Sequence, residues 1–280
     1  MSPQGEEAEP LDCCQAHLSE MDEQMRTLAL LAHQIRYEQK FYWRSPSSAM
    51  FTFAFPILLL VIFATLNQGS TIAALGGISY NQYYVPGIVA FSVISACYTN
   101  LAISLCFRRD AGVLKRIRGT PLPPWVFMAG TIGSSLVVSL LLVVLTTAVG
   151  MLFYGVAFPG RWGALLLTLA VGAFCFCGLG LAMTTVIATA TASPAIVNGM
   201  LFPILFISGT FFPVPATSFL GRVAGLFPIR HFEQAMFAVF DPRVPGSGIE
   251  MRPLLIMLAW GLAALIVAMR RFRWEPGVRP

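Results

Sequence analysis

Charge is what this chain has least of. Only 11% of its 280 residues are Asp, Glu, Lys or Arg, while 56% are hydrophobic. A soluble domain carries about 25% charged residues, so too few are present here to cover a water-exposed surface. A soluble enzyme or nucleic-acid-binding module is excluded, and a polytopic membrane protein is expected. The net charge of +5 then reads as Lys and Arg holding cytoplasmic loops against anionic lipid, not as a footprint for nucleic acid.

Other absences narrow the chemistry. The first residues, MSPQGEEAEPLDCCQAHLSEMDEQM, are acidic and lack the apolar core of a cleavable leader, so insertion is expected to use the first span itself. No G-x-x-x-x-G-K-[ST] phosphate loop occurs. The nearest stretch, Gly112 to Gly119, places Val, Leu and Ile where backbone amides would have to curl around phosphate. The three histidines, His17, His33 and His231, all lie outside the long apolar runs. No Ser-His or two-His metal site can be assembled at membrane depth. Cys97, Cys106, Cys175 and Cys177 sit inside apolar runs as small packing residues, and Cys13 and Cys14 form an idle pair in the acidic tail.

What is present is a series of apolar runs. About twenty apolar residues cross the hydrocarbon layer, and six segments approach that length: 49–67, 85–107, 124–153, 163–188, 195–212 and 253–269. The third is long enough to tilt or to include a break near Gly150, and the fifth contains Pro203. None, so drawn, contains Asp, Glu, Lys, Arg or His, which weakens a proton- or sodium-coupled mechanism. Thirteen positive residues fall with the two termini, the 108–123 loop and the 189–194 loop, and five fall on the opposite side. Both termini are therefore expected in the cytoplasm. Gly130 with Ser134, and Gly178 with Ala182, have the small-xxx-small spacing of close helix packing.

Two segments are neither span nor plain loop. Residues 18–45 follow an acidic tail (1–17) expected to be disordered. They place Leu18, Met21, Met25, Leu28, Ala32 and Ile35 on one helical face, with Arg36, Lys40, Trp43 and Arg44 suited to the headgroup layer. Two readings stand: a helix lying on the inner membrane surface, or a short heptad pairing with a protein helix. The long connection after residue 212 reads as two short amphipathic helices broken at Pro228. His231 and Glu233, two apart and without a third ligand, read as the polar edge of the second helix.

The loop RRDAGVLKRIRG, residues 108–119, concentrates five positive charges. Val113, Leu114 and Ile117 recur at helical spacing while Lys115, Arg116 and Arg118 occupy other faces. Gly119 and the prolines of TPLPP then end the helix. Charge alone supports a topological anchor; the apolar spacing supports a docking helix whose apolar face enters a groove on a soluble partner. A helix this short favours neither reading decisively.

Three stretches, taken in order, resemble one family. They are RYEQKFYWRSP before a first span containing Pro56, the loop RRDAGVLKRIRGTPLPPWVF, and ISGTFFPVPATSFLGRVAGLFPIRHFEQAM after the fifth run. Together they resemble the permease subunit of type 2 ABC exporters, the class of daunorubicin-resistance-type drug permeases and polysaccharide exporters. The resemblance runs from about residue 26 to 273, so that residues 46–273 form the permease domain and 274–280 a short cytoplasmic tail; the acidic N-terminal tail has no counterpart.

The resemblance implies an all-α integral membrane protein of six transmembrane helices. An N-terminal interfacial helix precedes them, and a partly re-entrant external hairpin lies between the fifth and sixth. It implies a bacterial plasma-membrane location and an ATPase-coupling loop at Arg108, Arg109, Asp110, Gly112, Leu114, Lys115, Arg116, Ile117 and Arg118. The re-entrant segment would carry Ser208, Gly209, Phe212, Pro213, Pro215, Pro228, His231 and Glu233. Phe51, Phe55, Phe63, Phe202 and Phe206 are candidates for a substrate path. The implied partners are a dimeric cytoplasmic ATPase, which would hold ATP and Mg, and a second identical or related permease. This chain itself would bind no cofactor or metal. A carrier, channel or regulatory anchor outside that family remains the alternative.

Overall fold

The computed structural model describes residues 10–44, 46–72, 76–120, 122–157, 160–215, 217–241, 243 and 246–271. Eleven helices dominate these residues. The first, α1 (Pro10–Trp43), begins before the expected Leu18 and runs for 34 residues, about 51 Å at the helical rise. α2 (Pro46–Leu66) contains Pro56. A two-residue antiparallel pair, β1 (Thr71–Ile72) with β2 (Ile78–Ser79), interrupts the charge-free loop that follows. α3 (Tyr80–Ile94) starts where the Ser79 hydroxyl accepts from the Gln82 amide. It continues through a π-helical stretch, Ser95–Asn100, into α4 (Leu101–Asp110), and the three together make one 31-residue span.

α5 (Val113–Arg118), α6 (Pro124–Tyr154), α7 (Trp162–Val186) and α8 (Ser193–Ser208) complete the first two-thirds of the chain. α9 (Phe219–Ala224), α10 (Pro228–Phe240) and α11 (Met251–Arg271) follow. Five helical stretches are long and apolar enough to cross a membrane: 49–66, 80–110, 125–154, 162–186 and 251–271. The protein is thus a multi-pass, all-α membrane protein apart from its two short strands.

The remaining expected run, 195–212, forms a helix of only 16 residues. That is about 24 Å, short of the roughly 30 Å hydrocarbon layer. Gly209, at φ 111°, ends it, because the left-handed conformation suits a residue without a Cβ. The expected break near Gly150 is also absent, since α6 runs unbroken to Tyr154. Gly150 has a packing reason instead: a Cβ there would stand 2.9 Å from both Cγ atoms of Val85.

The core lies where α3, its π-helical continuation, α7, α10 and α11 converge. α7 and α11 approach so closely that a Cβ on Gly178 would be 3.0 Å from the Gly261 carbonyl oxygen, as its small-residue spacing suggested. α1 does not simply lie on a bilayer. Its C-terminal part docks on α6, where a Cβ on Gly130 would meet the Gln34 side chain and one on Gly133 would meet Ile35. The Gln39 amide also donates to the Ser134 carbonyl at 2.8 Å. Of the expected apolar stripe, Met25 and Leu28 are exposed in the chain and Ile35 is half-buried. The side chains of Leu18 and Met21 fall outside the described residues.

Candidate functional site

The charge-rich loop divides its charges between two tasks. Arg108, Arg109 and Asp110, at the end of α4, turn inward. Arg108 meets Glu38 of α1 through two guanidinium nitrogens, at 2.7 and 2.6 Å, a fork geometry that only Arg can supply. Its guanidinium carbon lies 4.4 Å from the centre of the Phe41 ring. Glu38 is buried and also accepts from Gln34 at 3.1 Å.

Arg109 is buried and donates to the carbonyls of Thr184 at 2.9 Å, Ile187 at 2.8 Å and Ala188 at 3.3 Å. It thereby satisfies the orphan acceptors at the end of α7 and places a cation on the negative pole of that helix. Asp110 accepts from the Ala190 amide at 2.6 Å. Three successive residues thus tie the loop to α1, to the end of α7 and to the turn before α8.

Beyond Gly112, whose φ of 71° reverses the chain, α5 turns its other charges outward. Lys115 and Arg116 are exposed, whereas Leu114 is fully buried in the chain's own core. This corrects the expectation that Leu114 belongs to a face offered to a partner. The face α5 presents is basic, with Val113 beside it and Ile117 half-buried. The side chain of Arg118 lies outside the described residues. Arg36, Lys40 and Trp43 of α1, with Arg44 just after it, are also exposed.

Within the membrane a cavity of about 530 Å³ opens between α2, the π-helical stretch and α8. Phe51, Phe55, Phe91 and Phe202 form its aromatic wall, and Thr52, Ser95, Thr99, Asn100 and Asn198 supply its polar groups; no ionisable side chain lines it. A π-helical turn inserts an extra residue and often marks a functional site, and here that turn supplies three of the five polar residues. Phe63 and Phe206, expected on the same path, do not line this cavity but pack in a neighbouring aromatic cluster. Phe63 lies 5.5 Å from Tyr84, 5.5 Å from Phe211 and 6.3 Å from Phe212, while Phe206 lies 5.1 Å from Phe211.

A buried latch holds the turn that carries Phe211 and Phe212. The Tyr83 hydroxyl donates to the Gly209 carbonyl, and the Thr210 hydroxyl donates to Glu233. A Cβ on Gly87 would come within 2.8 Å of the Thr210 carbonyl oxygen, so only glycine lets the turn seat there. Arg230 donates to the Val214 carbonyl at 3.2 Å and the Ser208 carbonyl at 3.5 Å. His231 meets the Gly225 carbonyl at 2.9 Å.

Glu233 is therefore no exposed polar edge, as its sequence position implied; it is 9% exposed. Of the remaining re-entrant candidates, Ser208 and Pro228 are buried, Pro213 is half-buried, and Phe212 and Pro215 are exposed. Pro228 opens α10, where its missing N–H costs nothing.

Residues 30–240 match the family model described as ABC-2 type transporter. The chain belongs to the ABC-2 type transporter family. It is also similar to the inner membrane transport permease YadH of Escherichia coli K12, at 29% identity over 156 residues, 55% of this chain and 60% of that one. The YadH of Shigella flexneri matches to the same extent. The chain thus spans about 60% of the length of the curated relatives it matches. The matched ABC-2 region covers the docked end of α1, the anchored loop, the cavity and the latch. It stops at the end of α10, before α11.

Proposed function

We propose that this ABC-2 permease is the membrane-spanning subunit of an ATP-driven exporter, energised by a separate cytoplasmic ATPase dimer that holds ATP and Mg. The observation that carries the reading is the loop at 108–118. A basic helix, exposed at Lys115 and Arg116, is fastened through Arg108, Arg109 and Asp110 to three other elements. A push on α5 therefore reaches α1, α7 and α8 together. The exposed basic residues of α1, Arg36 and Lys40, border the same docking surface.

In this reading α8 and the α9–α10 hairpin together make the sixth crossing, with the hairpin re-entering from the outside. Both termini lie in the cytoplasm of a bacterial cell. A second copy, or a related permease, faces the exposed side chains of α2, among them Phe51, Leu58 and Ile62. The cargo is amphipathic, drug-like or lipid-linked. It rests in the Phe51–Phe55–Phe202 cavity and leaves past Phe63, Phe206 and Phe211. The absence of ionisable side chains from that cavity favours cargo whose membrane-inserted part is uncharged, since an unpaired charge is costly there.

The test is purification from the native membrane followed by vesicle reconstitution. A Walker-type ATPase should co-purify, and outward movement of a fluorescent amphipath should require ATP. Movement that persists without the ATPase would replace this reading with a carrier or channel.

A further inference from the structure

A second cavity, of about 520 Å³, lies between α1, α4 and α6. It sits at the cytoplasmic end of the bundle, where Trp43, Lys40 and Arg44 mark the headgroup layer. Its character changes along its length. Leu101, Ile103 and Phe107 supply an apolar wall, Ser104, Thr131 and Ser135 supply hydroxyls, and Glu38 with Arg108 are its charged residues.

Two features separate this space from a packing defect. Asn100 and Ile103 line both this cavity and the aromatic one between α2 and α8, so one strip where the π-helical stretch passes into α4 separates two chambers. The two charges are also incompletely satisfied. Arg108 Nε is buried with no hydrogen-bond partner among the described residues, and a carboxylate with two oxygens retains lone pairs beyond the bonds Glu38 makes to Gln34 and Arg108. A matched cation and anion, each with spare capacity, at the polar end of an apolar slot suit a headgroup that itself carries both signs. A purely anionic headgroup would gain Arg108 and meet Glu38 at the same time.

We propose that this cavity is a loading vestibule for a zwitterionic, phospholipid-like amphipath drawn from the inner leaflet. Its phosphate turns to Arg108 and its ammonium to Glu38, and its apolar part lies along Ile103 toward the central cavity. The inference rests on the exporter reading and adds the class of cargo and its side of approach. Because Arg108, Ala111 and Val113 line the vestibule and lead directly into α5, an occupied vestibule bears on the segment that the ATPase would move.

The test uses the intact permease–ATPase complex in detergent, mixed with equal amounts of phosphatidylethanolamine and phosphatidylglycerol and read by native mass spectrometry. The wild type should retain phosphatidylethanolamine about tenfold over phosphatidylglycerol, the equivalent of one charge-assisted contact. Glu38→Gln should reverse the preference by leaving Arg108 unbalanced. Ser104→Phe, which fills the slot and leaves the ion pair alone, should lose both lipids while still running as a folded complex on gel filtration. Equal retention of the two lipids by the wild type, or unchanged retention in Ser104→Phe, would overturn the proposal. A preparation that contains no ATPase would count against the exporter reading instead, and the lipid ratio would remain readable.

Discussion

Arg109 donates to the carbonyl of Ile187 at 2.8 Å, so the last residues of α4 cap the end of α7. The loop's second arginine is thus a structural bolt, while Lys115 and Arg116, six and seven residues later, face outward. Arg109→Leu should lower stability by about 3 kcal/mol, because buried carbonyls lose a charged donor. Arg109→Lys should fail to restore it, since an ammonium cannot reach three acceptors in one plane. Thermal unfolding of the detergent-solubilised variants reads both effects, and Lys115→Ala, which alters only an exposed residue, should leave the midpoint unchanged.

The seat of α10 in the bundle is tested at Gly172. A Cβ there would lie 2.3 Å from Cε2 of Phe232, a fully buried ring. Gly172→Ala should cost about 1–3 kcal/mol by overpacking. Adding Phe232→Leu should recover part of that loss, giving a non-additive double-mutant cycle in thermal stability.

A breach of the aromatic cluster gives a functional counterpart. Phe211 is buried and touches Phe63, Phe91 and Phe206. Phe211→Ala should open the outer end of the path, giving reconstituted vesicles a dye leak that persists without ATP, while the wild type stays tight.

Much of this architecture was readable beforehand, and what escaped has physical causes. Apolar runs of span length announced five helices, because only a helix satisfies its backbone in lipid. Pro228 announced the hairpin break, because a ring without an N–H fits the first turn of a helix. The length of α8 did not follow from hydropathy: Ile207 and Phe211 are equally apolar, and the helix stops at Gly209 for a conformational reason. The 3–4 spacing in α1 singled out Met25 and Leu28, which are exposed, and Ile35, which does meet α6; the rest of the docked face is Gln34, Glu38 and Gln39.

Nothing in the local sequence marks those polar residues, because their partners, Arg108 and Ser134, lie 70 and 95 positions away. The burial of Glu233 is hidden for the same reason, since Thr210 donates to it only in the fold. The basic loop showed its charges plainly, but which of them turn inward is decided by α1 and α7. Leu114 had helical spacing suited to a partner's groove and is instead claimed by the chain's own core.

The central claim is that an external ATPase acts on this permease through α5. The most direct measurement is ATPase activity and co-purification of the complex carrying Lys115→Glu with Arg116→Glu, compared with wild type and Arg109→Leu. The account predicts that the double charge reversal leaves the permease folded at its wild-type midpoint but strips it of ATPase and of ATP-driven transport. A double variant that still binds the ATPase and still transports would contradict it.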